Sequence, residues 1–311
     1  MRPDRRHPAL IVASMLLVVQ VLWLAPHAAA ASAPREGDLA KAALVFARLQ
    51  GTQEDHELWT MGAHGGNQHR LTRNVMGDFD PVWSPDGTRI AWVRYPDFGC
   101  NCGPSDVWLM NADGTNRHNL TNDATGISRP TWSPDGTQIA FMRDYGIWVI
   151  NADGSDEHRI SPVGSFDFDP AWSPNGALIA FVTNGDESFD LFSMRVDGTD
   201  RRQLTHTIGI SEHRPAWSPD GSKIAFTGNH RTSSWHVDLM RADGAGVHVV
   251  VDAYSLGPAW SPSGSRLAFY ACLDDCALYR IKPNGADLEP LGRRRGDSDI
   301  QPDYRDVIPT T

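Results

Sequence analysis

The chain has 311 residues, with 28 Lys and Arg against 38 Asp and Glu and a formal net charge of −10. Its 41% hydrophobic and 21% charged residues are typical of a globular protein and exclude wholesale disorder. The acidic balance also argues against a nucleic-acid partner, because phosphate binding needs a basic surface.

The N-terminal 30 residues have the pattern of a secretory signal peptide. A basic start precedes a largely apolar run at 9–24 and then a stretch of small residues around Ala30. This pattern predicts export with cleavage near residue 30. The alternative is an uncleaved anchor, but the run is shorter than the roughly 20 residues that span a bilayer. We expect a signal peptide at 1–30, a linker at 31–41 and a secreted or periplasmic body without a membrane span after cleavage.

One segment then recurs five times as Pro-x-Trp-Ser-Pro-x-Gly. Its tryptophans stand 49, 40, 45 and 43 residues apart, at Trp83, Trp132, Trp172, Trp217 and Trp260. After each comes an apolar strand such as Ile139-Ala140-Phe141, a second short strand, an Asp-Gly or Asn-Gly turn and a final strand that usually carries Leu-Thr. The pattern predicts units of four strands, a to d, with Ser-Pro-Asp-Gly turning from a to b and Asp-Gly turning from c to d.

Four-stranded units of this length are typical of β-propeller blades. The chain enters on residues 44–46, which match strand b, and leaves through residues 301–304, which match strand a with Tyr304 in the tryptophan position. We therefore predict an all-β, six-bladed propeller over 42–306, with the ring closed by pairing of its N- and C-terminal strands. Residues 307–311 form a short tail in this interpretation, and we expect a monomer.

The succession of Trp-Ser-Pro-Asp-Gly, Ile-Ala-Phe, Asp-Gly and Leu-Thr resembles the β-propeller repeats of the TolB family, and the resemblance covers residues 42–306. TolB proper carries an α/β domain before its propeller, whereas here only residues 31–41 lie between the signal region and the first strand. The chain therefore resembles a free-standing TolB-type propeller. The resemblance implies the propeller fold and a place in the cell envelope, where the family acts in the Tol–Pal system.

The residue that precedes the proline of strand a is charged in four of the repeats. In successive repeats this position holds Asp80, Arg129, Asp169, Arg214, Gly257 and Gln301, and Asp78 and Asp167 stand two residues before the first and third of these. Because strand a is innermost in a propeller, we expect a ring at the channel mouth, on the face of the variable d–a and b–c loops. The ring predicts either inter-blade ion pairs or a polar site for a peptide, a carboxylate or a cation. Exposed pairs of this kind contribute about 0–1 kcal/mol each.

A second candidate site lies in two loops of the fifth blade. It comprises His206, Glu212, His213, His230 and His236. Neutral imidazoles and a carboxylate are ligands that zinc and similar ions accept, although the irregular spacing favours exposed loop histidines. We expect no cofactor, with a divalent metal at these residues as the alternative.

The cysteines lie in two b–c loops, Cys100 and Cys102 in the second blade and Cys272 and Cys276 in the sixth. Four cysteines allow three connectivities, and export favours their oxidation. Cys272 and Cys276 flank a hairpin end and can face each other across it. We predict two local disulfides, because cross-links or a shared metal site would require two blades that are not neighbours to approach.

The sequence contains no nucleophile elbow, Walker motif or dinucleotide fingerprint, so we assign no catalytic residue. The favoured function is an exported, non-enzymatic propeller that holds a protein or peptide partner through its loop face and channel mouth. The alternative is an extracytoplasmic, metal-assisted glycan lyase or hydrolase. That alternative needs metal ligands from several blades around the mouth, whereas the histidines crowd one blade.

Overall fold

A computed structural model of the protein shows six antiparallel β-sheets arranged as propeller blades. It describes residues 43–49, 56–62, 64–96, 104–122, 126–184, 188–206, 209–230, 234–273 and 276–291. Every regular element within these ranges is a strand. No helix that could cross a membrane occurs there.

The strands are numbered in chain order and grouped by blade. Blade 1 contains β1 (Ala43–Leu49), β2 (His56–Gly62) and β3 (His69–Arg70). Blade 2 contains β4 (Gly77–Trp83), β5 (Arg89–Tyr95), β6 (Asp106–Asn111) and β7 (His118–Asn119). Blade 3 contains β8 (Ser128–Trp132), β9 (Gln138–Arg143), β10 (Gly146–Asn151) and β11 (His158–Arg159).

The second half of the ring repeats this plan. Blade 4 contains β12 (Asp167–Trp172), β13 (Leu178–Asn184), β14 (Phe189–Arg195) and β15 (Arg202–Gln203). Blade 5 contains β16 (Glu212–Trp217), β17 (Lys223–His230), β18 (Ser234–Arg241) and β19 (His248–Val251). Blade 6 contains β20 (Ser255–Trp260), β21 (Leu267–Cys272), β22 (Cys276–Ile281) and β23 (Glu289–Leu291).

Strands that follow each other in the chain lie side by side, so each blade is an up-and-down meander. The strands β4, β8, β12, β16 and β20 contact one another in succession, which makes them the innermost strands. The six-bladed, all-β fold predicted from the sequence is thus confirmed. The fourth strand of blade 1, expected at 301–304, lies outside the described residues, as do the predicted signal peptide, linker and tail.

The repeated Ser-Pro-Asp-Gly segment forms the same turn in each blade. The Ser84 hydroxyl donates to the Asp86 carboxylate over 2.6 Å and accepts the backbone N–H of Arg89 over 2.9 Å. In blade 4 an asparagine replaces the aspartate, and Ser173 donates to Asn175 over 2.8 Å in the same way. The aspartate of this segment is therefore a turn residue, as its repetition predicts.

Three of the five repeated tryptophans join their blade to the one before it by a hydrogen bond. The indole N–H groups of Trp132, Trp217 and Trp260 donate to carbonyls of the preceding inner strand over 3.0–3.3 Å. The aromatic residue of each strand b is fully buried between blades, at Phe46, Trp92, Phe141, Phe181, Phe226 and Phe269. The repeat motif therefore supplies the core, and function must reside where the repeats differ.

Candidate functional site

Each described inner strand carries a β-bulge at the ring position predicted from the sequence. The pairing register with the next strand shifts across the residue that precedes proline in all five. These residues have φ angles between 47° and 63°, at Asp80, Arg129, Asp169, Arg214 and Gly257. This left-handed backbone conformation is the one that glycine adopts most easily, and it is known from β-bulges whose first residue is glycine.

Blade 6 shows that the bulge needs no side chain, because Gly257 makes it there with a φ of 63°. A non-glycine residue in this region costs about 1–2 kcal/mol, and arginine lacks the short side chain that makes aspartate more tolerant. Four blades nevertheless place charge here. Backbone strain of this kind persists where the side chain has a structural or functional role.

Arg129 joins carboxylates of the two neighbouring blades. Its Nη1 lies 3.2 Å from Oδ1 of Asp169 and its Nε 3.8 Å from Oδ2 of Asp80. The two carboxylates are 4–5% exposed. We call Asp80, Arg129 and Asp169 the ion-pair triad. They form ion pairs between blades, which is one of the two alternatives predicted from the sequence. The expectation that the pairs are exposed is wrong, because the bulges turn the side chains into the closely packed space between inner strands.

The charges of the triad stabilise one another. Burial alone would raise the pKa of Asp169, but Arg129, His213 and Arg214 hold that pKa well below its usual range. Burial alone would lower the pKa of Arg129, but Asp169 and Asp80 raise it above its ordinary value. Arg129 and Asp169 are therefore both ionised at neutral pH.

Arg214 occupies the equivalent position in blade 5 but is paired differently. Its backbone N–H donates to Oδ2 of Asp169 over 2.9 Å. The Nη1 atoms of Arg129 and Arg214 are both buried without a hydrogen bond in the described part of the chain, but only Arg129 lies in an ion pair with a carboxylate there. Burial and the nearby Arg129 lower the pKa of Arg214 to about 10, against the opposing effect of Asp80 and Asp169. The ring thus contains three paired charges and one guanidinium that is not neutralised by an ion pair.

The structure places Asp78 and Asp167 inside the blades, apart from the ring. Both are fully buried. Asp78 accepts from Arg94 over 2.7 and 3.1 Å and from the Trp92 indole over 2.9 Å. Asp167 accepts hydrogen bonds from Nη1 and Nη2 of Arg201, over 2.7 and 2.9 Å. These bonds assign the two carboxylates to the blade framework and leave them no contact with solvent.

Aromatic side chains lie beside the ring on the loop face of blades 4 and 5. The His213 ring is 5.5 Å from Phe168, 5.8 Å from Phe189 and 5.0 Å from Trp235, centroid to centroid. Its Nδ1 lies 3.6 Å from Oδ2 of Asp169, and all four rings are partly exposed. Phe168 and His213 directly precede the ring residues Asp169 and Arg214 in the sequence. This adjacency is the sequence signal from which the cluster could have been predicted.

An exposed apolar patch lies on the same face at blades 3 and 4. The rings of Tyr145 and Phe166 are 4.9 Å apart, centroid to centroid, and the two residues are 63% and 52% exposed. Val163, in the same loop as Phe166, is 93% exposed. The sequence analysis did not predict this patch. Tyr145 and Phe166 lie outside the repeated motifs, and their contact joins a hairpin end to a separate loop.

The candidate metal ligands whose side chains the structure describes, His206, Glu212, His213 and His236, have separate surroundings. Among the described residues, no three His, Cys, Asp or Glu side chains lie together as a metal centre would require. Glu212 accepts from the Thr205 hydroxyl over 2.5 Å and from the backbone of Leu191 over 3.3 Å. His236 is buried with Nε2 3.7 Å from Asp252, whereas His206 is exposed. The side chain of His230 lies outside the described part.

The predicted hairpin disulfide is present between Cys272 and Cys276. The two residues are direct partners across β21 and β22, with their Cα atoms 3.9 Å apart. This part of the cysteine prediction is confirmed. The predicted pairing of Cys100 with Cys102 lies outside the described residues.

Comparison with known sequences gives one partial match. A family model described as the dipeptidyl peptidase IV N-terminal region matches residues 101–168. No curated protein matches the chain.

Solved structures share the fold at low sequence identity. A protein described as TolB from Agrobacterium tumefaciens is 22% identical with a TM-score of 0.61, and the match covers 72% of this chain and 84% of that one. TolB from Acinetobacter baumannii is 18% identical with a TM-score of 0.68, covering 78% and 61%. Oligogalacturonate lyase from Vibrio parahaemolyticus is 12% identical with a TM-score of 0.55, covering 76% and 73%. In fold, the chain is therefore a TolB-like β-propeller.

Proposed function

We propose that this chain is a non-enzymatic binding propeller that holds a protein or peptide partner through its loop face and channel mouth. The observation that carries the proposal is the charged ring. Four blades keep Asp80, Arg129, Asp169 and Arg214 in a backbone conformation that glycine adopts more easily, and Gly257 shows that the fold forms without charge there. Complementary charge at such a position contributes to the choice and orientation of a partner.

The apolar patch of Tyr145, Val163 and Phe166 supports the same function. Apolar side chains rimmed by polar residues are typical of protein-interaction surfaces. Exposed aromatic residues are enriched in such interfaces because they bury much area with few rotatable bonds. The patch and the ring share the loop face, so one partner can contact both.

We place this activity outside the cytoplasm. The Cys272–Cys276 disulfide is consistent with an oxidising compartment, where such bonds persist. The signal-peptide pattern of residues 1–30 supports export independently.

The proposal is tested by capture of a partner on the immobilised protein. A double variant, Tyr145→Ser with Phe166→Ser, removes the apolar patch, and Leu288→Ser on the outer part of blade 6 is the matched control because Leu288 is 43% exposed. We expect the wild type and the control to retain the same protein from an extract of the producing cells, and the double variant to lose it. Equal retention by all three would place the interface elsewhere and contradict the proposal.

The second candidate function is glycan cleavage, which is favoured only by the likeness of the fold to an oligogalacturonate lyase. It is tested by incubating the purified protein with oligogalacturonate and divalent metals and measuring the unsaturated product by ultraviolet absorbance. Metal-dependent product formation would replace the binding function by this one.

A further inference from the structure

Arg214 differs from the other charged members of the ring, because its partly buried guanidinium forms no ion pair with a described carboxylate. We propose that Arg214 anchors a carboxylate group of the partner at the channel mouth. The proposal rests on the binding function and deepens it by naming the chemical group that is recognised.

The contrast with Arg129 carries the argument. Both arginines follow the same bulge, with φ angles of 58° and 54°. Arg129 contacts a carboxylate on each side, whereas Arg214 contacts Asp169 only through its backbone N–H. A guanidinium that is largely withdrawn from water and lacks a direct ion pair is costly, so a folded protein retains one where a ligand supplies the pairing carboxylate.

On the side of blade 6, the ring position next to Arg214 carries no charge that could pair with its guanidinium. There the equivalent position is Gly257, which carries no side chain. Tyr254, in the loop before β20, lies close enough to Arg214 for their charges to interact, although burial keeps the pKa of Tyr254 above its ordinary value. Its protonated hydroxyl can donate to a carboxylate held by Arg214. We call Arg214, Tyr254 and Gly257 the notch.

A carboxylate is the group that this chemistry selects. The guanidinium presents parallel N–H donors whose spacing matches the two carboxylate oxygens, and such bonds are about twice as strong as neutral ones. Asp80 and Asp169 face the same region, but both already pair with Arg129, so the ring is neutral before the ligand arrives.

The surroundings favour a peptide over a uronic-acid polymer. A polyuronate carries a charge on each sugar, and the chain itself has a net charge of −10, so the two repel each other. Within the described residues the notch offers one guanidinium, and His213 of the aromatic cluster is the chain neighbour of Arg214. One carboxylate next to an apolar group is the pattern of a peptide terminus or an acidic side chain near hydrophobic residues.

The experiment observes the arginine side chains directly by NMR. The Nε–Hε signals of Arg214 and Arg129 are assigned by their loss in Arg214→Gln and Arg129→Lys, and the wild type is titrated with sodium acetate or, at equal ionic strength, sodium chloride. We expect the Arg214 signal to shift saturably with acetate alone, while the Arg129 signal stays in place. An Arg214 response that is the same for acetate and chloride would overturn the proposal.

Two further probes identify the source of the carboxylate. N-acetylphenylalanine should bind about tenfold more tightly than galacturonate, because its ring packs beside the notch. Arg195→Gln, at an exposed arginine, is the matched control and should keep both affinities, whereas Arg214→Gln should lose them. Tighter binding of galacturonate would overturn the peptide assignment. Acetate binding and partner capture are measured independently. An Arg214 signal that shifts with acetate in a protein that captures no partner contradicts only the proposed function. Partner capture by a protein whose Arg214 signal does not shift contradicts only the carboxylate anchor.

Discussion

Replacing the two ring arginines by glutamine should change stability in opposite directions. Glutamine keeps much of the side-chain length and the strained backbone, so the comparison isolates the charge. For Arg214 the fall in pKa to about 10 from the ordinary arginine value corresponds to roughly 3 kcal/mol of disfavoured charge in the folded state. Part of that cost remains, because the glutamine amide is also polar and buried. We expect Arg214→Gln to stabilise the protein by about 1–2 kcal/mol.

Arg129→Gln should act the other way. It leaves the buried carboxylates of Asp80 and Asp169 without their shared cation, and breaking a buried pair in this manner costs about 3–5 kcal/mol. In a domain of this size, 1 kcal/mol corresponds to about 2–4 °C in Tm. The two variants should therefore melt on opposite sides of the wild type.

The measurement is urea unfolding at pH 7 with thermal melts in parallel, and Arg195→Gln is the control, since exposed arginines contribute little. The pH dependence gives a second check. A base whose pKa is lowered by folding is penalised while charged, so the stability of the wild type should rise relative to Arg214→Gln as the pH increases above about 10. If Arg214→Gln destabilises the protein as much as Arg129→Gln, Arg214 is an internal ion-pair residue and the reasoning is refuted.

Three further predictions follow from the same structure. Folding lowers the pKa of Asp169, so its contribution to stability is present above the unfolded pKa of about 3.9 and is lost as the pH falls below that value. The urea midpoint of Asp169→Asn should therefore depend less on pH below about pH 4 than that of the wild type. Parallel curves for the two proteins would contradict this. Replacing Cys272 and Cys276 by alanine opens a loop with a sequence separation of 4 and should cost about 2 kcal/mol, whereas an unchanged urea midpoint would show that the bond is stability-neutral. Deleting residues 299–311 should abolish a single cooperative melting transition, because we expect blade 1 to take its inner strand from there; a truncated protein that melts like the full chain would exclude that closure.

The sequence alone determined the fold, for a local reason. Each blade is built from contacts between residues close in the chain, and the turn from Ser84 to Arg89 is fixed by hydrogen bonds within that segment. Five copies of such a segment at near-constant spacing leave few architectures other than a propeller. The hairpin disulfide of Cys272 and Cys276 was predictable for the same reason, since its two residues are direct partners across one turn.

The sequence also determined which residues form the ring, but only the tertiary structure decided how their charges pair. Arg129 and Arg214 occupy the same repeat position and are indistinguishable in the motif. The distance from Arg129 to carboxylates on both sides depends on how three blades pack around the axis. The same holds for Asp78 and Asp167, which look like ring residues in sequence and are buried against Arg94 and Arg201. Electrostatic energies depend on separation and burial, and both are set by contacts between blades that no single repeat encodes.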